Sequence, residues 1–223
     1  MSVKLFIEAI LKFSLGVILI GLLIFLPAGT IHYLNGWIFM GVLFIPMFVA
    51  GIIMMIKNPK LLVERLNAKE KEKEQSLVVK LSGLMFIAAF VVAGLDYRYK
   101  WLVIEEWVTY LAVIIFILSY VLYAEVLREN TYLSRTIKVT DEQKVIDSGL
   151  YGIVRHPMYT ATIFLFLAMP LILGSLIAFF IMLIYPLLIA FRAVNEEKFL
   201  IKELNLYEEY TKKVKYRFIP FIW

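Results

Sequence analysis

Two long stretches with no Asp, Glu, Lys or Arg limit what this sequence can become. One lies between Lys12 and Lys57 and runs for 44 residues; the other lies between Arg155 and Arg192 and runs for 36. A helix that crosses a bilayer uses roughly 20 apolar residues. Each run is therefore too long for one crossing and suits a helical hairpin. Two shorter apolar segments, around Leu77–Leu95 and Trp107–Ala124, suit one crossing each. The expectation is an all-α integral membrane protein with about six transmembrane helices, near 13–31, 35–56, 77–95, 107–127, 157–173 and 175–193. These would form a single membrane domain over residues 1–223. Hydrophobic residues make up 62% of the chain and charged ones 18%, against about a quarter charged in an ordinary soluble domain.

The first apolar segment reads as a retained span. It is too long for a signal peptide, and no small-residue cleavage site follows "FLPAGT". With no cysteine, disulfides, thiol chemistry and cysteine-based metal sites are excluded.

The net charge of +5 could suit nucleic acid, but its distribution points to membrane topology instead. Of 23 basic residues, 18 fall in three segments: the connector after the second span, the loop before Pro157, and the tail from Arg192 onward. The turns near Gly29 and Gly174 carry none, and the 96–106 loop only Arg98 and Lys100. Basic loops stay on the cytoplasmic side, so both termini are expected there. The connector "NAKEKEKEQS" reads as a solvated stretch of alternating charge. Residues 1–12, with Lys4, Glu8 and Lys12 at spacing four, suit a short amphipathic helix on the membrane surface.

Only two segments are polar and long enough to hold chemistry: the 128–157 loop and the 192–223 tail. The hairpin of the fifth and sixth spans returns its ends to one face, which should bring Arg155 and Arg192 into one neighbourhood. The loop ends in "DSGLYGIVRHPMYTATIF", with Arg155 and His156 at the lip of an apolar run. Charge at that position is costly near lipid and points to function, although a snorkelling arginine would have the same pattern. In the tail, Arg192 and Glu196 share a helical face at spacing four while Glu197 is rotated by about 100°. An ordinary surface ion pair is the bland alternative. No Gly-rich dinucleotide fingerprint, phosphate-cradling loop or nucleophile elbow occurs. The two histidines, His32 and His156, lie too far apart to build a metal site.

The stretch "SGLYGIVRHPMY", an apolar hairpin, the acidic pair Glu196-Glu197 and the tail "YEEYTKKVKYRFIPFIW" together resemble the isoprenylcysteine carboxyl methyltransferase family. The bacterial branch is also similar around "FLPAGT", "NGW", "EKEKEQ" and "RENTY", so the resemblance covers essentially the whole chain and implies a bacterial inner membrane. It is shared with membrane methyltransferases of phospholipids. It implies S-adenosyl-L-methionine as cofactor, bound at the cytoplasmic face between the loop and the tail. The cofactor residues it implies are Gln143, Lys144, Val145, Ile146, Tyr151, His156, Pro157, Met158, Tyr159 and Glu196. Arg192 would face the acceptor, with Arg155, Glu196 and Glu197 as the other charged groups at the reaction. Glu197 is the candidate base for an amine acceptor.

The resemblance also implies a lipophilic small-molecule or lipid-modified substrate reached from the bilayer, among membrane lipids, with no nucleic acid and no metal. The chain departs from the family at three places. Leu150 stands where a proline often precedes the tyrosine, Ala161 where a glycine is frequent, and Asn205-Leu206-Tyr207 where Pro-Gly-Tyr is frequent. Other readings are methylation of a phospholipid or amine, an NADPH-dependent sterol-type reductase, and a non-enzymatic membrane protein.

Overall fold

The computed structural model describes residues 3–66, 73–130, 132 and 143–223. Most of the "NAKEKEKEQS" connector and residues 133–142 of the polar loop lie outside the described residues. Among the described residues the chain is all helix and connection. The helices are α1 (Val3–Ala28), α2 (Leu34–Lys57), α3 (Pro59–Leu66), α4 (Lys73–Tyr99) and α5 (Glu106–Glu129). A single 3-10 turn at Gly149–Gly152 precedes α6 (Pro157–Ile172), α7 (Leu176–Met182), α8 (Ile184–Glu203) and α9 (Tyr207–Lys213).

Five of these elements are long and apolar enough to cross a membrane. They are α1, α2, α4, α5 and the α7–α8 rod Leu176–Glu203. The fifth expected crossing, α6, has 16 residues and rises only about 24 Å, against a hydrocarbon core of about 30 Å. Its ends are set locally. Pro157 occupies the first turn, where its missing N–H costs nothing. At the far end Gly174 takes a left-handed φ of 77°, and Ser175 caps α7 by accepting from the Ala178 N–H at 3.2 Å.

Three boundaries differ from the expectation. Residues 3–12 are the first turns of α1 and not a separate surface helix, because no helix breaker separates them from the apolar run. Their polar groups pin α3 instead: Lys12 pairs with Glu8 at 2.6 Å and donates to the Leu66 carbonyl at 2.9 Å. Helix α4 runs on to Tyr99, so the opposite-face loop is shorter than 96–106. Helix α8 continues ten residues past the expected 193, so the sixth crossing and the start of the tail form one rigid rod.

Packing puts the polar loop and the tail at one end of the bundle. Helix α5 lies along α6, and α1 lies along α4. The α1–α4 approach is close: a Cβ at Gly94 would sit 2.5 Å from the Ile24 carbonyl. The opposite end is closed by hydrogen bonds. Buried Asp96 accepts from the Ser175 hydroxyl at 2.6 Å and from the Leu102 N–H at 3.1 Å. The buried Tyr33 hydroxyl donates to the Leu173 carbonyl, and its ring stacks on Tyr97 at 4.0 Å. With these groups satisfied, the Gly29 and Gly174 turns are locked together, and the chemistry is left to the other end.

Candidate functional site

Four segments meet at the open end: the C-terminus of α5, the strip 143–151, the first turn of α6, and the α8–α9 rod and corner. Between them lies a cleft enclosing about 840 Å³ including its open mouth. Arg155 and Arg192 both line it, as the hairpin geometry requires. Gln143, Lys144, Val145, Ile146, Tyr151, His156, Met158, Tyr159 and Glu196 line it too. Pro157 and Glu197 do not. Pro157 is buried as the helix starter, and Glu197 points into the wall behind the cleft.

Glu197 is the centre of that wall. Its Oε1 accepts from Arg155 Nε at 2.7 Å and lies 3.0 Å from His156 Nε2. Its Oε2 accepts from Arg217 Nε at 2.9 Å and, more weakly, from Arg155 Nη2 at 3.4 Å. Arg155 Nη1 also donates to the Val214 and Lys215 carbonyls at 2.7 and 2.9 Å. The backbone N–H groups of Arg155 and His156 donate to the Tyr216 and Arg217 carbonyls, both at 2.9 Å. The tail therefore runs back against the Arg-His-Pro turn and fixes it from behind. Both oxygens of Glu197, the residue expected as a base, hold the loop to the tail.

Glu196 and Arg192 face the cavity and are joined through one hydroxyl. The Tyr159 hydroxyl donates to Glu196 Oε2 and accepts from Arg192 Nε at 3.1 Å. The Tyr159 ring stacks on His156 at 5.3 Å, and Phe218 packs edge-on against both, at 5.9 and 6.1 Å. A carboxylate, a guanidinium and an imidazole are thus oriented by a single buried tyrosine.

The strip 143–151 is held at both ends. Leu204, Tyr207, Tyr210 and Val214 form a small core of their own, against which Val145 and Leu200 pack. Exposed Lys213 pairs with Asp147 at 2.5 Å. At the α5 end, Glu129 accepts from the Leu150 N–H with both oxygens, at 2.9 and 3.2 Å. The departure from proline at position 150 is thereby explained, since proline has no N–H to donate. Gly149 has φ of 58°, and any Cβ there would overlap the Glu129 carboxylate. Asn130 Nδ2 donates to the Tyr151 hydroxyl at 2.9 Å, while the Tyr210 hydroxyl donates to the Tyr151 carbonyl at 2.7 Å. Burial pushes the phenols of Tyr151, Tyr207 and Tyr210 well above the ordinary tyrosine range, and the nearby Glu196 charge adds to this for Tyr151 and Tyr207.

Sequence reasoning missed Asn130, Tyr132, Leu200, Leu204, Tyr207 and Tyr210 in the cleft and Arg217 behind it. Tyr207 and Tyr210 did leave a signal, two aromatics three apart on the one tail helix.

Comparison with known proteins bears on this same region. Residues 106–206 match the phospholipid methyltransferase family. The match runs from α5 through the cleft to the α8–α9 corner. That family belongs to the isoprenylcysteine carboxyl methyltransferase-like superfamily, in agreement with the resemblance read from the motifs. The matched stretch covers a little under half of the chain, whose five longest apolar stretches are long enough to cross a membrane.

The chain is also similar to a Delta(14)-sterol reductase of Mus musculus, 34% identical over 91 residues, covering 40% of this chain and 22% of that protein. A probable 7-dehydrocholesterol reductase of Acanthamoeba polyphaga mimivirus is 35% identical over 107 residues, covering 43% of this chain and 24% of that protein. The chain spans less than a quarter of the length of either relative.

Proposed function

We propose that this protein is an S-adenosyl-L-methionine-dependent methyltransferase that modifies a lipophilic acceptor, with the cofactor in the cleft beside Glu196. The observation that carries this is the lining itself. One carboxylate, Glu196, shares the cleft lining with Tyr132, Tyr151, Tyr159, Tyr207 and Tyr210. Carboxylates and aromatic faces attract cations. The bound cofactor supplies an electrophilic methyl group on a sulfonium, next to an ammonium. Glu196, oriented by Tyr159, suits the ammonium; the tyrosine faces suit the sulfonium; Gln143 and the strip 144–146 offer polar and apolar edges.

Arg192 is set by Tyr159 to hold an acceptor carboxylate, and a two-pronged guanidinium contact would orient it. A carboxylate is already nucleophilic, so positioning and exclusion of water carry the rate. An amine acceptor needs a base, and Glu197 has both oxygens committed to Arg155, His156 and Arg217. This favours O-methylation of an isoprenylcysteine-like acid over N-methylation of a phospholipid headgroup. The acceptor's apolar tail would stay in the bilayer and reach the cleft laterally.

The reductase relatives favour a second reading, an NADPH-dependent reduction. A phosphate-rich cofactor would need cations aimed into the cavity. Arg155 is turned onto Glu197 and two carbonyls. That leaves Arg192 and Lys144, besides His156, as the basic groups lining the cleft among the described residues, few for a cofactor with several phosphates. Calorimetric titration of the detergent-solubilised protein with S-adenosylmethionine, S-adenosylhomocysteine and NADPH separates the two. Binding of the first two is expected, and binding of NADPH alone refutes the proposal. Glu196→Ala and His156→Ala should weaken cofactor binding, while Arg192→Ala should spare it and lose turnover.

A further inference from the structure

Residues 216–223, "YRFIPFIW", close into a hook. The N–H groups of Arg217, Phe218 and Ile219 all donate to the Trp223 carbonyl, at 2.8, 3.0 and 3.3 Å. The Trp223 and Ile222 N–H groups both return to the Ile219 carbonyl at 3.2 Å. Arg217 lies over the Trp223 ring at 4.8 Å, and Phe218 packs edge-on to it at 5.1 Å. Phe221 takes a left-handed φ of 66°, a conformation that side-chain-bearing residues rarely adopt. The result is a compact ring whose tip presents Phe221 and Ile222, 87% and 76% exposed.

We propose that this tip is inserted into the lipid interface beside α6. Four observations set its occupant. Thr160, in the first turn of α6, donates to the Phe218 carbonyl at 2.7 Å, so the hook is fixed at the level where an apolar helix begins. One turn further along α6, Phe164 is itself 44% exposed on the apolar helix surface. The hook also pairs several of its backbone N–H groups internally, which is what a non-helical segment needs to enter an apolar layer. Exposed Lys215 and the cation–π pair of Arg217 with Trp223 stand just outside the tip, the arrangement of basic and aromatic groups that favours the headgroup zone. The same segment backs the cleft, since Phe218 touches His156 and Tyr159 and Arg217 holds Glu197. The bilayer thus anchors the rear wall of the site directly, whatever the cleft binds.

The chain has no cysteine, so Ile222→Cys alone gives a single labelling site. A nitroxide there, with the full-length protein in phosphatidylcholine vesicles, reports collision with oxygen, which partitions into lipid, and with a water-soluble nickel chelate. A several-fold higher oxygen-to-nickel ratio than at Glu208→Cys, exposed on α9, is expected. A ratio equal to that control means the tip is in water and overturns the proposal. Low collision with both reagents means that protein covers it, and overturns it equally. Phe221→Cys provides the same measurement at the neighbouring position if the first label disturbs folding.

Discussion

At the scale of single residues, the departures from the family pattern gain physical meaning. Leu206, where glycine is frequent, has φ of 65° and is exposed at the corner between α8 and α9. A leucine pays roughly 1–2 kcal/mol there, while glycine would give back part of that in unfolded-chain entropy. Leu206→Gly is therefore expected to stabilise the protein by about 0.5–1 kcal/mol, read as a higher apparent Tm at a fixed scan rate. Gly149 shows the converse. Gly149→Ala would drive a methyl into the Glu129 carboxylate that holds Leu150, and should weaken ligand binding at the cleft more than it lowers the Tm. Glu197 is the residue with most to lose. Its removal leaves Arg155 buried without its counter-charge and His156 without its hydrogen-bond partner, a loss of about 3–5 kcal/mol. Glu197→Ala should unfold at a markedly lower temperature, and Arg217→Ala, whose side chain is partly exposed, should cost less.

At the scale of elements, two contacts decide how the helices and tail sit. The first is α1 on α4, where the missing side chain of Gly94 lets α4 approach the α1 backbone. The blocking atom is a carbonyl oxygen and cannot swing aside, so Gly94→Val should destabilise by about 1–3 kcal/mol in a chemical or thermal melt. The second is the small core of the tail with the strip 143–151. The phenols of Tyr151, Tyr207 and Tyr210 have folded pKa values raised by burial above the unfolded value of about 10. A raised folded value means the stabilisation is fully present below about pH 10 and is lost as pH rises beyond it. Phenolate absorbance during an alkaline titration should show a set of tyrosines ionising late, together with loosening of the tail. Early, independent ionisation of all tyrosines would contradict the buried cluster.

At the scale of the whole molecule, the bundle has a closed end, sealed around Asp96 and Tyr33, and an open end that carries the cleft. The concentration of basic residues at the open end predicts that it faces the cytoplasm. An impermeant thiol reagent should label Lys100→Cys on intact cells and Lys202→Cys only after permeabilisation; the reverse pattern would invert the topology. The helical class, the hairpins, the start of α6 at Pro157 and the turn at Gly174 could all be read from the sequence. They depend on charge-free length and on local backbone chemistry, which are properties of consecutive residues. Five of the six expected segments fall in stretches long enough to cross a membrane while α6 is shorter, and their ends differ from the expectation because helix continues through polar residues when a partner waits for them, as Leu66 does for Lys12. Only the tertiary structure could show what Glu196 and Glu197 each hold. Neighbours in sequence, they point 100° apart on one rod, and the side chains that meet each come from elsewhere: Tyr159 for one, Arg155, His156 and Arg217 for the other. Which carboxylate faces a ligand and which ties the site together depends on how α8 is rotated against α6 and the returning tail, and that rotation is a property of packing.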